Sequence, residues 1–371
     1  MKKTILAAAI AASVPLIAQA DVTLYGSVRA GVSITKNTDT SFNSVFGVDD
    51  FGSRIGFKGS ENLGNGLKTI WQVETGFAVD GTTGNSSTDS GTFANRESYV
   101  GLQGEFGKLR IGYLGDILGD TEATDNLYGP RRDAAGAGFP LYEATDLFGA
   151  DYGDSRFKNS IRYDSPNVGG FTASLQYGAG EKQDAGGMKK GNHVGTRLAY
   201  QNSGFFGAWA FATKLNTTGD NNSLINRLEA GYDANNLYIA ATYNWVNLRA
   251  NAYQKDSNGK LKIPNISLLP GVDDTGSHNL KNTSWAINIA YAFGNFKPSI
   301  VYSKRDNAKI NGVRYQLGAT QYAAAVDYTV SKRTMLQAGY GQVKENADMV
   351  KALGRTNDTS STYWAMVKHN F

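Results

Sequence analysis

The chain has 371 residues with no cysteine, 44 glycines against 7 prolines, 20 tyrosines and 17 phenylalanines. The missing cysteines exclude a disulfide framework and thiol chemistry. A formal net charge of +4, two units of it from Lys2 and Lys3, with no run of like charges, excludes a nucleic-acid footprint.

The first twenty residues read as a secretory leader. Lys2 and Lys3 give a basic start, Ile5 to Ile17 an apolar run, and Ala18-Gln19-Ala20 a small-x-small cleavage pattern. The run is too short for a membrane helix, which needs about 20 apolar residues. Residues 1–20 are therefore expected to be cleaved, leaving a mature barrel of residues 21–371.

From Asp21 onward the pattern has a period of two. One face of the first segment carries Val22, Leu24, Val28, Ala30 and Val32, and the other carries Thr23, Tyr25, Ser27 and Arg29. Successive side chains of a strand point to opposite faces, so this segment separates lipid-compatible from polar surface. The separation recurs about sixteen times along the chain. Tight connections rich in Gly, Asn and Ser fall at Glu61–Gly66, Gly104–Gly107, Ser165–Gly170, Gln201–Gly204, Asp233–Asn236, Gly294–Asn295 and Thr329–Arg333. Longer polar stretches fall near 33–50, 78–95, 114–156, 178–191, 214–225, 246–283, 304–320 and 342–361. Alternating short turns and long loops, with both termini at the turn end, predict an all-β fold. That fold is a 16-stranded antiparallel transmembrane β-barrel. Closure removes the edges that so many strands would otherwise expose. Trp71, Trp209, Trp245, Trp285, Phe171, Tyr200, Tyr232, Tyr291 and Tyr328 all fall on the apolar faces, as aromatic girdles do.

The last segment puts Tyr363, Ala365, Val367, His369 and Phe371 on one face and stops at an aromatic. A terminal Phe closing a period-two strand resembles the signal read by the outer-membrane barrel assembly machinery. Further motifs follow in order: Val22-Thr-Leu-Tyr-Gly, Ser53-Arg-Ile-Gly-Phe-Lys-Gly-Ser-Glu-Asn-Leu-Gly-Asn-Gly-Leu-Lys68, Trp71-Gln-Val-Glu74, Arg96-Glu-Ser-Tyr-Val-Gly-Leu102, Phe106-Gly-Lys-Leu-Arg-Ile-Gly112 and Asn159-Ser-Ile-Arg-Tyr-Asp-Ser-Pro166. Together they resemble the general-diffusion porins of Neisseria and other β-proteobacteria over nearly the whole mature chain. The resemblance implies a homotrimer set in outer-membrane lipid and lipopolysaccharide, with the long loop 3 folded into each pore. It also implies diffusion of small hydrophilic solutes and ions.

In such a channel, selectivity depends on the narrowing and its charges. Loop 3, from about Leu114 to Ser155, carries Asp116, Asp120, Glu122 and Asp125 among nine acids, against Arg131 and Arg132. Phe139 to Tyr142 and Leu147-Phe148 are its candidate anchors. Parity places Arg29, Arg54, Lys58, Lys68, Arg110, Lys158, Arg162 and Arg197 on the polar face. A Lys or Arg facing lipid at the midplane costs about 2–4 kcal/mol, so a lumen-facing basic wall is expected. An acidic loop opposite a basic wall sets up a transverse field, with a mild anion preference expected. Arg96 departs from this pattern, because it shares parity with the outward Val100 and Leu102.

Competing functions find little support. The three histidines stand in no catalytic context: His193 begins a strand, His278 is expected in a polar loop, and His369 faces outward. No metal-ligand spacing occurs, and no cofactor is expected. A substrate-specific outer-membrane channel would carry an aromatic track in its lumen. Inward parity finds Tyr25, Tyr238 and Trp364, scattered over the wall.

Overall fold

In the computed structural model the described residues are 21–36, 44–81, 93–124, 127, 156–180, 192–218, 221–251, 277–352 and 356–371. The expected leader, residues 1–20, lies outside them. All strands belong to one antiparallel sheet that closes on itself through pairing of the first with the last.

In chain order the segments are β1 (Asp21–Lys36), β2 (Val45–Asp50), β3 (Arg54–Gly64), β4 (Leu67–Gly76), β5 (Ser98–Gly104), β6 (Gly107–Gly115), β7 (Arg156–Asp164), β8 (Phe171–Gly178), β9 (His193–Asn202) and β10 (Phe205–Thr218). They continue as β11 (Asn221–Ala234), β12 (Leu237–Asn251), β13 (Ser277–Tyr291), β14 (Phe296–Arg305), β15 (Ala308–Ile310), β16 (Val313–Tyr315), β17 (Ala319–Thr329), β18 (Thr334–Glu345) and β19 (Thr359–Asn370). Three barrel strands are interrupted, because β2 with β3, β14 with β15 and β16 with β17 each run as one. Nineteen segments thus make the sixteen-stranded closed barrel expected from the sequence. The break between β2 and β3 is a built kink. Gly52 has a φ of 90°, and the Asp50 carboxylate accepts the Gly52 and Ser53 N–H groups, which turns Phe51 into the interior.

The tight turns fall where the sequence puts them. Asn65-Gly66, Ser203-Gly204 and Asn235-Asn236 each have two consecutive positive φ angles. That is the type I′ geometry whose twist matches flanking strands.

The opposite end differs from expectation. The stretches 214–225, 246–283 and 304–320 are not loops throughout: β10 and β11 run to Thr218 and Asn221, β12 reaches Asn251, β13 starts at Ser277, and β15 and β16 form a hairpin over Asn311-Gly312. Backbone pairing holds these extensions together without an apolar outer face, so the alternation that marks a strand in lipid fades from the sequence while the ladder continues. His278 accordingly sits in β13, buried, against Asn311. A short helix, α1 (Ala347–Ala352), lies between β18 and β19.

The outward faces are apolar, with Leu24, Val100, Ile111, Leu175, Leu198, Ile289, Ile300 and Val367 exposed. Buried polar residues such as Ser27, Ser174, Asn244, Asn288 and Gln321 line the inside. This inversion suits a barrel with lipid outside and water within.

Candidate pore constriction

Loop 3 leaves β6 at Asp116 and turns at once into the lumen. Ile117 and Leu118 are fully buried. They pack into an apolar patch made by the inner faces of β10 to β13 (Ala210, Ala212, Ile225, Val246, Leu248, Leu280), together with Leu317 and Met349. A one-turn 3-10 helix, Leu118–Asp120, follows. The Arg227 guanidinium donates to the carbonyls of Leu118 (3.0 Å) and Thr121 (3.1 Å), tying both ends of this short helix to β11.

The path then continues along the wall. Ala123 N–H donates to the Glu229 carboxylate at 3.0 Å, and Tyr238 O–H donates to the Ala123 carbonyl. Thr124 meets Thr242 at 3.2 Å, and its carbonyl accepts from Asn288. Leu127 packs against Ala286, Val301 and Trp364. The described part of loop 3, residues 116–124 and 127, therefore runs along the inside of the barrel wall.

Among the described residues, three loop 3 acids have partners. Asp116, almost fully buried, lies 3.2 Å from Nε2 of the equally buried His193, whose ring stacks on Phe157 at 3.7 Å. Asp120 pairs with Arg162, which also holds Asp164 at 2.9 Å. Glu122 is half-buried and has an interaction partner. Asp125 and the expected anchors Phe139 to Tyr142 and Leu147-Phe148 lie outside the described residues.

Of the expected basic wall, Arg29, Arg54, Lys58, Lys68, Arg110, Arg162 and Arg197 stand in the inward rows. Their cross-strand partners include Tyr25, Glu74, Gln72 and Ser174 or the neighbours of these on the same face. Arg29 is buried and donates to Ser27. Arg110 is clamped by Glu97 (2.9 Å) and Asp164 (2.7 Å), and Arg197 lies 3.9 Å from Glu229. Arg54 and Lys68 make no ion pair or hydrogen bond among the described residues, and Lys58 lies over the Tyr25 ring at 5.1 Å.

Lys158 is a correction. Asn159 has a φ of 55°, and the register slips between Gly112 and Leu114. Ser160 faces Gly112 and Phe157 faces Leu114, so Lys158 and Asn159 both oppose the outward Tyr113. A bulge inserts one residue and resets the parity, which takes Lys158 off the inner wall. Arg96 moves the other way. The backbone turns through Ala94 (φ 61°) before β5 begins, and Arg96 Nε donates to Glu74 Oε1 at 2.5 Å. Its pKa falls to about 10, because burial penalises the cation and Arg156 and Arg54 repel it, against the attraction of Glu74. It stays charged at neutral pH.

Sequence reasoning missed the wall acids Glu74, Glu97, Asp164 and Glu229, and the cations Arg96, Arg227 and Arg305. Parity alone places Glu74, Asp164, Arg227 and Glu229 inward and carried that signal. The seating residues Ile117 and Leu118 carried a weaker one, as an apolar pair directly after a strand.

A closed barrel with an apolar exterior, a polar charged lumen and a loop fastened across it defines a transmembrane diffusion channel. The chain belongs to the Gram-negative porin family, which it matches over residues 6–348. It is 34% identical over 376 residues to major outer membrane protein P.IB of Neisseria gonorrhoeae, covering 94% of this chain and 96% of the relative. To the protein of the same name from Neisseria lactamica it is 34% identical over 389 residues, covering 100% of both. Among solved structures, an anion-selective porin from Comamonas acidovorans superposes with a TM-score of 0.71 at 23% identity, covering 95% of this chain and 100% of that one. Salmonella typhi OmpF in complex with daunomycin gives 0.67 at 19% identity, covering 94% and 97%. The chain is an outer-membrane β-barrel that lets small hydrophilic solutes and ions diffuse passively.

Proposed function

We propose that the channel works as a homotrimer with a mild preference for anions, and that the wall of β3 to β6 sets this preference. The observation that carries the reading is the distribution of pairing. Asp116 is buried against His193 at the loop root and Asp120 is paired with Arg162, so neither of these loop 3 acids stands alone in the lumen. On β3, β4 and β6, Arg54, Lys58, Lys68 and Lys108 have no carboxylate within ion-pair distance among the described residues. The uncompensated charge seen by a passing ion on that wall is positive. In this reading Arg29, Arg110, Arg162 and Arg197 position the lumen through their partners, and Phe371 marks the chain for the assembly machinery.

The inward aromatics favour general diffusion over a substrate-specific track. Tyr25 donates to Glu74, Tyr238 to the Ala123 carbonyl, and Trp364 to Gln337. Each is fixed to a different part of the interior, with Phe206 stacked on Tyr238 at 6.1 Å.

The test is the reversal potential of the purified channel in a planar bilayer under a potassium chloride gradient. One unit charge about 5 Å from an ion in water is worth about 0.8 kcal/mol, or about fourfold in partitioning, before screening. Arg54→Gln combined with Lys58→Gln should lower the chloride-to-potassium permeability ratio severalfold. An unchanged ratio refutes the assignment of selectivity to this wall. Conductance steps in groups of three support the trimer.

A further inference from the structure

The outer wall carries one feature that diffusion through the lumen does not use. On the lipid side of β8 to β11, near the tight turns, lies an apolar groove of about 570 Å³. Its size falls within the range of sites for small molecules. The pairing shows how it forms. One outward row runs Tyr200, Gly207, Ala230, Ala241 across β9 to β12. The row above it is Leu198, Trp209, Leu228, Tyr243, and the row below is Phe205, Tyr232, Ile239. The small residues Gly207 of β10 and Ala173 of β8, set among Phe171, Leu198, Tyr200, Trp209 and Leu228, leave the groove in the outer surface. Phe171 and Tyr200, with ring centres 4.6 Å apart, flank its end, and Phe205 and Tyr232 form a second pair at 4.9 Å.

Position narrows the occupant. Short turns and both termini mark the periplasmic end of an outer-membrane barrel, so the groove opens into the periplasmic leaflet, whose hydrocarbon must cover it. The neighbouring turns 165–170, 201–204 and 233–236 carry no Lys or Arg, and Asp233 is their only charged residue. They present neutral groups: Asn202 beside the Tyr200 hydroxyl at 3.3 Å, and Asn235 beside that of Tyr232 at 2.6 Å. Anionic headgroups are held by clustered cations, which these turns lack.

We propose that this groove is a binding site for one acyl chain of a zwitterionic phospholipid from the periplasmic leaflet, with its headgroup at the amide-rich turns.

Gly207 provides a clean test. A Cβ built there meets only the Glu229 carbonyl, at an ordinary 3.4 Å, so a side chain is accommodated and projects into the groove. The intact channel is purified, washed in detergent, incubated with equal phosphatidylethanolamine and phosphatidylglycerol, and weighed by native mass spectrometry. The wild type should retain about one phosphatidylethanolamine per protomer. Gly207→Phe should weaken retention about tenfold, the equivalent of about two methylenes of lost contact, with conductance unchanged. Ala173→Leu, which fills the same groove from β8, should do likewise and serves if the first variant does not fold. Equal retention in the filled variants, preferred retention of phosphatidylglycerol, or no retained lipid in the wild type each overturns the proposal. So does dissociation of subunits in the filled variants, which would make the groove a protein contact.

Discussion

If loop 3 is held by Leu118 and Arg227, removing both should release it. Leu118 is fully buried, and truncating such a leucine to alanine costs about 2–5 kcal/mol. Arg227 supplies two charge-assisted hydrogen bonds to the Leu118 and Thr121 carbonyls, and bonds to charged groups contribute about 1.5–3 kcal/mol. Leu118→Ala alone, at the low end of about 2 kcal/mol, should raise the population of released loop roughly 30-fold. Leu118→Ala with Arg227→Gln, at about 3.5 kcal/mol or more, should raise it several hundredfold. Hydrogen exchange reads this directly, because local opening governs exchange. The amides of Gly119, Asp120 and Thr121 donate to Asp116, Ile117 and Leu118 and are protected only while the turn holds. Their exchange should accelerate by these factors while the β17 to β19 amides keep their rates. Single-channel conductance should rise in the double variant, as the loop no longer lies along the wall. Exchange within threefold of wild type at the 117–121 segment, with the barrel folded, would refute the anchoring argument.

His193→Leu replaces the polar ring 3.2 Å from the buried Asp116 with an apolar group and should destabilise the loop 3 root by about 1–3 kcal/mol, whereas His193→Leu with Asp116→Leu should recover most of that. Thermal denaturation followed by gel mobility distinguishes the two, and equal losses would refute the pairing. Gly339→Ala drives a methyl into the Trp364 ring and should cost about 1–3 kcal/mol, which a second change of Trp364→Phe relieves; urea midpoints measure it. Phe371→Ala removes the ring that lies over Gly26, and should lower the amount of folded channel reaching the outer membrane while leaving the conductance of molecules that assemble unchanged.

Much of this protein is legible in its sequence, because lipid enforces a strict rule. Where strands cross hydrocarbon, every second side chain must be apolar, so parity placed Val22 and Leu24 outward, Arg29 and Arg162 inward, and counted the strands. The same rule put Asn65-Gly66 and Ser203-Gly204 at turns, where two positive φ angles need such residues. Its reach ends where its cause ends. Above the membrane no apolar face is required, and β15 and β16 were invisible. At the Asn159 bulge the period slips by one, and Lys158 changed sides. At Ala94 the chain leaves the strand, and Arg96 turned inward against its parity. Which charges cancel was also beyond the sequence. The Arg110 clamp, the Arg162–Asp120 pair and the Arg197 contact join residues 13 to 54 positions apart through the tertiary fold. The sequence by itself determined the closed barrel, the face of each residue on an unbroken strand and the family. Only the tertiary structure decided where the root of loop 3 is seated and which described charges pair, because both depend on distances across the lumen that no local periodicity records.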